Sequence, residues 1–193
     1  MEIFGTTFIL FGYRVKVGSK MSNYSPTTIV LRFRDLVTEG GATVAEHRRV
    51  IRQFGFVWWG WWYRQSEHIP KGVIGELFGE GKPPVPIILL NSGTLQLFTT
   101  RASQVVVAPS MLGVQSPQFE ATPEYYFRGR YPLWFRFDTD ILAIESAPLP
   151  IIGQPTMDPS KDMVPAESFD GEETALESLR DDRPTLWLSR TIQ

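Results

Sequence analysis

Residues 56 to 63 read Phe-Val-Trp-Trp-Gly-Trp-Trp-Tyr, and they hold four of the chain's six tryptophans, Trp58, Trp59, Trp61 and Trp62, on either side of Gly60. Side chains on a β-strand alternate between faces. As a strand, this segment sets Phe56, Trp58, Gly60 and Trp62 on one side and Val57, Trp59, Trp61 and Tyr63 on the other. A single buried face cannot absorb both sets. One must pack in a core, while the other lines a cavity, meets a partner or lies under another element. A glycine inside a strand marks a bulge or the close approach of another group, so Gly60 points to something that packs against the strand at its centre.

The flanking residues define what surrounds the strand. Ile29, Leu31 and Phe33 alternate with Val30, Arg32 and Arg34, the pattern of a half-buried strand. Gly40-Gly41 breaks the chain, and Thr43-Val-Ala-Glu46 has the form of a capping box, predicting a helix from Val44. Val44, His47, Val50, Ile51 and Phe54 follow helical spacing, and Gly55 is placed to end the helix in a left-handed conformation. The order strand, helix, strand suggests a βαβ unit with its two strands parallel. Further on, a short helix is expected over Lys71–Glu80, ended by Pro83-Pro84. Strands follow at Pro86–Asn91, Thr94–Thr100 and Gln104–Ala108, the first two joined by a Ser92-Gly93 turn. A long loop, Pro109 to Pro132, precedes strands at Leu133–Phe137 and Ile141–Ile144; connections of that length are often functional. The fold class is α+β: a small mixed or partly closed β-barrel over residues 28–145 with one main capped helix.

With 193 residues, 42% of them hydrophobic, the chain supports one domain with a real core plus a tail. Residues 1–27 form an N-terminal extension or an extra edge strand, and Met21 offers an alternative translation start. The apolar stretch Ile3 to Tyr13 falls short of the ~20 residues of a membrane span and lacks the basic region that precedes a signal peptide's apolar core. With no cysteine in the chain, disulfides and thiolate metal sites are excluded, which fits a cytoplasmic protein. The prolines and acidic residues of 146–184 describe a linker, after which 185–193 is apolar and alternating enough to dock as a final strand. Between Asp158 and Arg183 nine acidic residues face three basic ones, so a chain of net charge −2 divides into an acidic tail and a body at +4. Nucleic acid is therefore a possible partner that net charge does not indicate.

Aromatic faces stack on bases and attract cations, so the leading expectation is a pocket for a nucleotide, modified base or similar planar anionic ligand. Trp58, Trp59, Trp61 and Trp62 supply stacking walls, with Arg32, Arg34 and Arg101 as anion partners. The long loop adds Tyr125, Tyr126 and Trp134, with Arg128 and Arg130 interleaved. Each set also has a plainer reading: tryptophans packed on both faces of a core strand, arginines on a solvated face, and loop aromatics plugging the mouth of the barrel. His47 and His68 are the only histidines, and neither stands at metal-ligand spacing with Glu46, Glu67 or Asp35. His47 falls on the inner stripe of the helix. No metal or cofactor is expected, and no G-x-S-x-G elbow, phosphate-binding loop or dinucleotide fingerprint occurs. The reading leans away from an enzyme. The first alternative is a protein-interaction module using exposed aromatics and the acidic tail; the second is a hydrolase using His68 and Glu67.

The run Ile29-Val-Leu-Arg-Phe-Arg-Asp-Leu36, the helix from Thr43, the tryptophan motif with Glu67 and Pro70, Leu90-Asn-Ser-Gly-Thr-Leu-Gln-Leu97, Thr122-Pro-Glu-Tyr-Tyr126 and Trp134-Phe-Arg-Phe137 carry a resemblance. Together they resemble the N-terminal accessory region of some bacterial calcineurin-like metallophosphoesterases. The Asp-x-His and Gly-Asn-His-Asp segments that hold two metals in the phosphoesterase half have no counterpart here, so the resemblance implies sensing or binding rather than phosphoesterase activity. The small barrel with one capped helix and aromatic strands is also similar to the PUA-like group, including EVE and YTH domains, whose aromatic cages bind modified bases. That similarity is at the level of fold.

Overall fold

The computed structural model describes residues 28–35, 42–62, 71–110, 112–144 and 185–189. Expectations for residues 1–27, the 146–184 linker, His68 and Glu67 fall outside the described residues. Strand β1 (Thr28–Phe33) is followed by helix α1 (Ala42–Phe54), strand β2 (Val57–Trp61), helix α2 (Lys71–Leu77), and strands β3 (Val85–Asn91), β4 (Leu97–Val107), β5 (Leu133–Phe137), β6 (Leu142–Ile144) and β7 (Leu186–Ser189). A single 3-10 turn, Glu124–Tyr126, interrupts the long connection between β4 and β5.

Helix α1 begins two residues before the expected Val44. It buries Val44, His47, Val50 and Ile51, the inner stripe read from the sequence, while Phe54 at its end is partly exposed. The carboxylate of Glu46 is taken by Arg49, at 2.7 and 2.9 Å, instead of turning back to the helix start. Gly55 ends the helix at φ 80°, and its N–H donates to the Ile51 carbonyl at 2.7 Å.

All the strands join one sheet, in the order β2-β5-β4-β3-β1-β7, with β6 beside β4. The expected parallel pairing of β1 with β2 does not form: β1 pairs in parallel with β3, and β2 lies at the far edge, antiparallel to β5. The two strands expected at Thr94–Thr100 and Gln104–Ala108 are one continuous β4. A register shift between Ala102 and Gln104 lets its first half pair with β3 and β6 and its second half with β5. Leu186–Ser189 pairs antiparallel with β1.

The sheet is not closed into a barrel, since no ladder joins β2 to β7, but it curls strongly. In a flat sheet β1 and β2 would lie four strand spacings apart, roughly 19 Å. Instead the Phe33 ring sits edge-on to Trp59 with centroids 5.4 Å apart, and the Thr185 hydroxyl lies 3.4 Å from the Trp62 carbonyl. The concave face carries Ile29, Leu31, Phe33, Val57, Trp59, Trp61, Ile87, Leu89, Leu133, Phe135 and Phe137, all in one apolar core. Both helices close that face: His47 of α1 stacks on Trp59, and Phe78, just after α2, meets Phe135.

Gly60 shows why the opposite face is also dry. It pairs with Trp134 across β5, and the indole of Trp134 lies over the space left by the missing side chain. A Cβ at Gly60 would stand 3.0 Å from Trp134 Cη2 and Cζ3 and from Tyr131 Cδ2. Gly60→Ala is therefore expected to cost about 1–2 kcal/mol by overpacking, visible as a lower urea midpoint; an unchanged midpoint would show that the ring yields freely. The N–H of Trp58 donates to the Ala121 carbonyl at 2.8 Å, so the long loop also covers the outer edge of β2.

Candidate functional site

The aromatics singled out in the sequence gather into one cluster around the edge of β2, and most of them are inside it. Trp58, Trp59, Trp61, Tyr126 and Trp134 are buried, whereas Trp62 is 52% exposed. The rings run in contact from Phe33 and Phe137 through Trp59 to His47, and on to Tyr125 and Tyr126. They continue to Tyr131 and Trp134. The Trp134 indole N–H donates to the Val114 carbonyl at 3.0 Å, and a bridge between Val114 and Tyr131 ties the loop to itself. The tryptophans of β2 are thus packed on both faces, by α1 on one and by Trp134 and the loop on the other, and only Trp62 offers an open ring.

His47 is at the centre of this cluster. It is fully buried, with its ring 3.9 Å from that of Trp59 and inclined by 25°. Its Nδ1 lies 2.8 Å from the Thr43 carbonyl, which can only accept, so Nδ1 carries the proton and Nε2 is left as an acceptor. The Tyr125 hydroxyl is 3.3 Å from the same Nδ1. Burial lowers the His47 pKa to about 4, against the weaker opposing pulls of the Thr43 carbonyl and the Glu46 charge. Burial also raises the Tyr125 and Tyr126 hydroxyls well above their ordinary range. The Asp35 carboxylate, which accepts from Asn91 Nδ2 at 3.0 Å, is close enough for its charge to act on Tyr125.

Outside this cluster, between α1 and the Glu124–Tyr126 turn, lies a groove of about 890 Å³. Arg49, Arg52 and Arg128 line it with Tyr125 and Phe127, and Glu46 and Glu124 also reach it. Its helical wall is a stripe, Ala42, Ala45, Arg49 and Arg52, in which small residues leave room and arginines follow. That spacing of three, four and three residues is present in the sequence, on the outer face of α1 beside its apolar stripe.

The three arginines chosen from the sequence do not meet. Arg32 is buried, on the opposite face of β1 from Leu31, and its backbone N–H donates to the Thr185 carbonyl. The Arg34 side chain packs beside Gly93, beyond the end of β3, whereas Arg101 reaches the Pro84 carbonyl before its start. The length of β3, roughly 20 Å, separates these two, too far for both to hold one phosphate. Among the described residues no three of the His, Cys, Asp and Glu side chains gather where they could hold a metal ion, and no helix is long and apolar enough to cross a membrane.

No curated protein and no solved structure matches the chain. A family model described as Pua-like matches residues 29–154, which include the whole aromatic cluster and the groove. It supports the second of the resemblances drawn from the sequence and says nothing of a relation to metallophosphoesterases. Since the match spans more than half of the chain, the protein belongs to the Pua-like family.

Proposed function

We propose that this Pua-like domain is a non-enzymatic binding or sensor domain for a nucleotide, a modified base or a similar planar anionic ligand, which it meets at the groove between α1 and the Glu124–Tyr126 turn. The observation that carries the reading is the lining of that groove, where Arg52 and Arg128 stand beside the rings of Tyr125 and Phe127, with Arg49, also in the lining, held by Glu46. Guanidinium groups recognise phosphate oxygens, and aromatic faces accept a stacked base. A volume of about 890 Å³ is within the range of small-molecule and cofactor sites. Domains of the family commonly bind nucleic acids or nucleotides, which points the same way.

The test is titration of the protein with a short single-stranded RNA and with mononucleotides, following tryptophan emission at several salt concentrations. Binding is expected to weaken with salt, and Arg52→Gln with Arg128→Gln together should reduce the slope of log K against log salt for the RNA by about 1.4. Absence of any salt-dependent binding by the wild type at millimolar ligand overturns the proposal. A protein-interaction module is the second reading, supported by exposed Leu112, Phe119 and Phe127 in the same long loop. It predicts that serine at Leu112 and Phe119, which lie outside the groove lining, abolishes partner capture and leaves nucleotide titrations unchanged.

A further inference from the structure

The acidic run of the sequence has no part in the reading above. Between Glu167 and Asp182 seven acidic residues face one basic residue. The charge that can answer them lies on α1 and the loop. Of the three arginines of the groove, Arg49 is held by Glu46, and the charge of Glu124 acts on it as well. Arg52 and Arg128 are exposed and form no ion pair among the described residues. The groove therefore presents two guanidinium groups that no carboxylate answers, while Arg49 balances its acidic side. The sheet brings the chain that leads into the acidic run to the same helix. Arg48 Nε donates to the carbonyl of Ile141, one residue before β6, at 2.6 Å, and lies 3.8 Å from a carboxylate oxygen of Asp140. Arg52 follows Arg48 by one turn on the same side of α1. From Ile144, where β6 ends, twenty-three residues lead to Glu167. They can reach ~80 Å when extended, against roughly 20 Å for the whole length of α1.

We propose that the acidic run Glu167–Asp182 of this same chain occupies the groove at Arg52 and Arg128 and competes there with the anionic ligand. The competition regulates the groove assigned above to a nucleotide and rests on that reading. Carboxylate and phosphate oxygens meet a guanidinium in the same paired geometry, so one arginine cannot serve both fully at once. Single contacts between exposed charges are weak, and a free acidic peptide would hardly hold. Tethering changes this, because a partner on the same chain meets its site at an effective concentration on the order of millimolar. Binding of the ligand then requires displacement of the run, which lowers affinity without any change in the groove itself.

The chain has no cysteine, so Ser168→Cys in the full-length protein carries a single nitroxide within the acidic run. At low salt the nitroxide should selectively broaden the amide resonances of Ala45, Arg49, Arg52 and Arg128. The broadening should vanish when Arg52→Gln and Arg128→Gln are combined, and when a short single-stranded RNA is added. In a second measurement, Glu172→Gln, Glu173→Gln, Glu177→Gln, Asp181→Asn and Asp182→Asn together should tighten RNA binding about fivefold at low salt, within what two exposed charge pairs supply. In the double arginine variant the same neutralisation should leave RNA affinity unchanged, whereas general repulsion by the run would persist there. Broadening spread evenly over the surface, or a gain in affinity that survives the arginine substitutions, overturns the proposal while leaving nucleotide binding in the groove standing. Equal broadening in a mixture of isotope-enriched chains and separate nitroxide-bearing chains places a second copy's run in the groove and overturns it too. Failure of both the wild type and the neutralised chain to bind RNA or mononucleotides overturns the nucleotide reading, and the competition with it.

Discussion

Trp134→Ala is expected to lower folding stability by about 3–5 kcal/mol, the range for truncating a fully buried large aromatic residue. Trp134 is 0% exposed, touches Tyr126 and Tyr131, and lies over Gly60. Its indole N–H also anchors the long loop at the Val114 carbonyl, so the truncation opens a cavity and removes the tie between loop and sheet together. Domains of this size carry about 5–15 kcal/mol in total. The variant should therefore show a urea midpoint lower than that of the wild type by at least about a fifth, with early loss of protection at the amides of the loop. Trp62→Ala serves as the control, because its ring is half exposed and should cost no more than about 1 kcal/mol. Equal midpoints for the two variants would contradict the packing described here.

Acid sensitivity is the second large expected effect. His47 is held neutral in the fold with a pKa of about 4, against an ordinary value near 6.5 in the unfolded chain. The unfolded state therefore takes up the proton first. The contribution of neutral His47 is fully present above pH 6.5 and is lost as pH falls from 6.5 to 4, a difference of about 3 kcal/mol. Of the groups packed around the ring, Tyr125 and Tyr126 stay protonated across this window because burial raises both. Glu46 is lowered mainly by its hydrogen bond from Arg49, so its own stabilisation is lost only at lower pH. The Asp35 carboxylate is close enough for its charge to act on Tyr125. Denaturation measured from pH 7 to 4 should show a falling midpoint in the wild type and a much flatter one in His47→Phe. Parallel pH profiles would mean that another group controls the acid response.

Local order was legible wherever neighbours in sequence suffice to determine it. The inner stripe of α1 and its glycine stop, and the limits of β5, follow from periodicity and turn chemistry. Gly60 was legible as a place of close approach, since only the absence of a Cβ leaves room there, although nothing local says that the visitor is Trp134. The groove was half legible: Tyr125 and Arg128 were noticed in the loop, while Arg49 and Arg52 were hidden on the outer face of a helix read only for its core.

By itself, then, the sequence determined most of the elements, the α+β class and the fact that both faces of the tryptophan strand must meet something. Only the tertiary structure decided which strands are neighbours, and with that the position of β2 at an edge, the separation of Arg34 from Arg101, and the burial of Trp58, Trp59 and Trp61. The physical reason is that alternation specifies which side chains share a face but not what the face meets. Strand order and curl are set by loop closure and by packing between residues far apart in the chain. The same packing brings His47 onto Trp59 and leaves Nε2 of His47 and the indole N–H of Trp61 without partners in the core, which no pattern of neighbouring residues encodes.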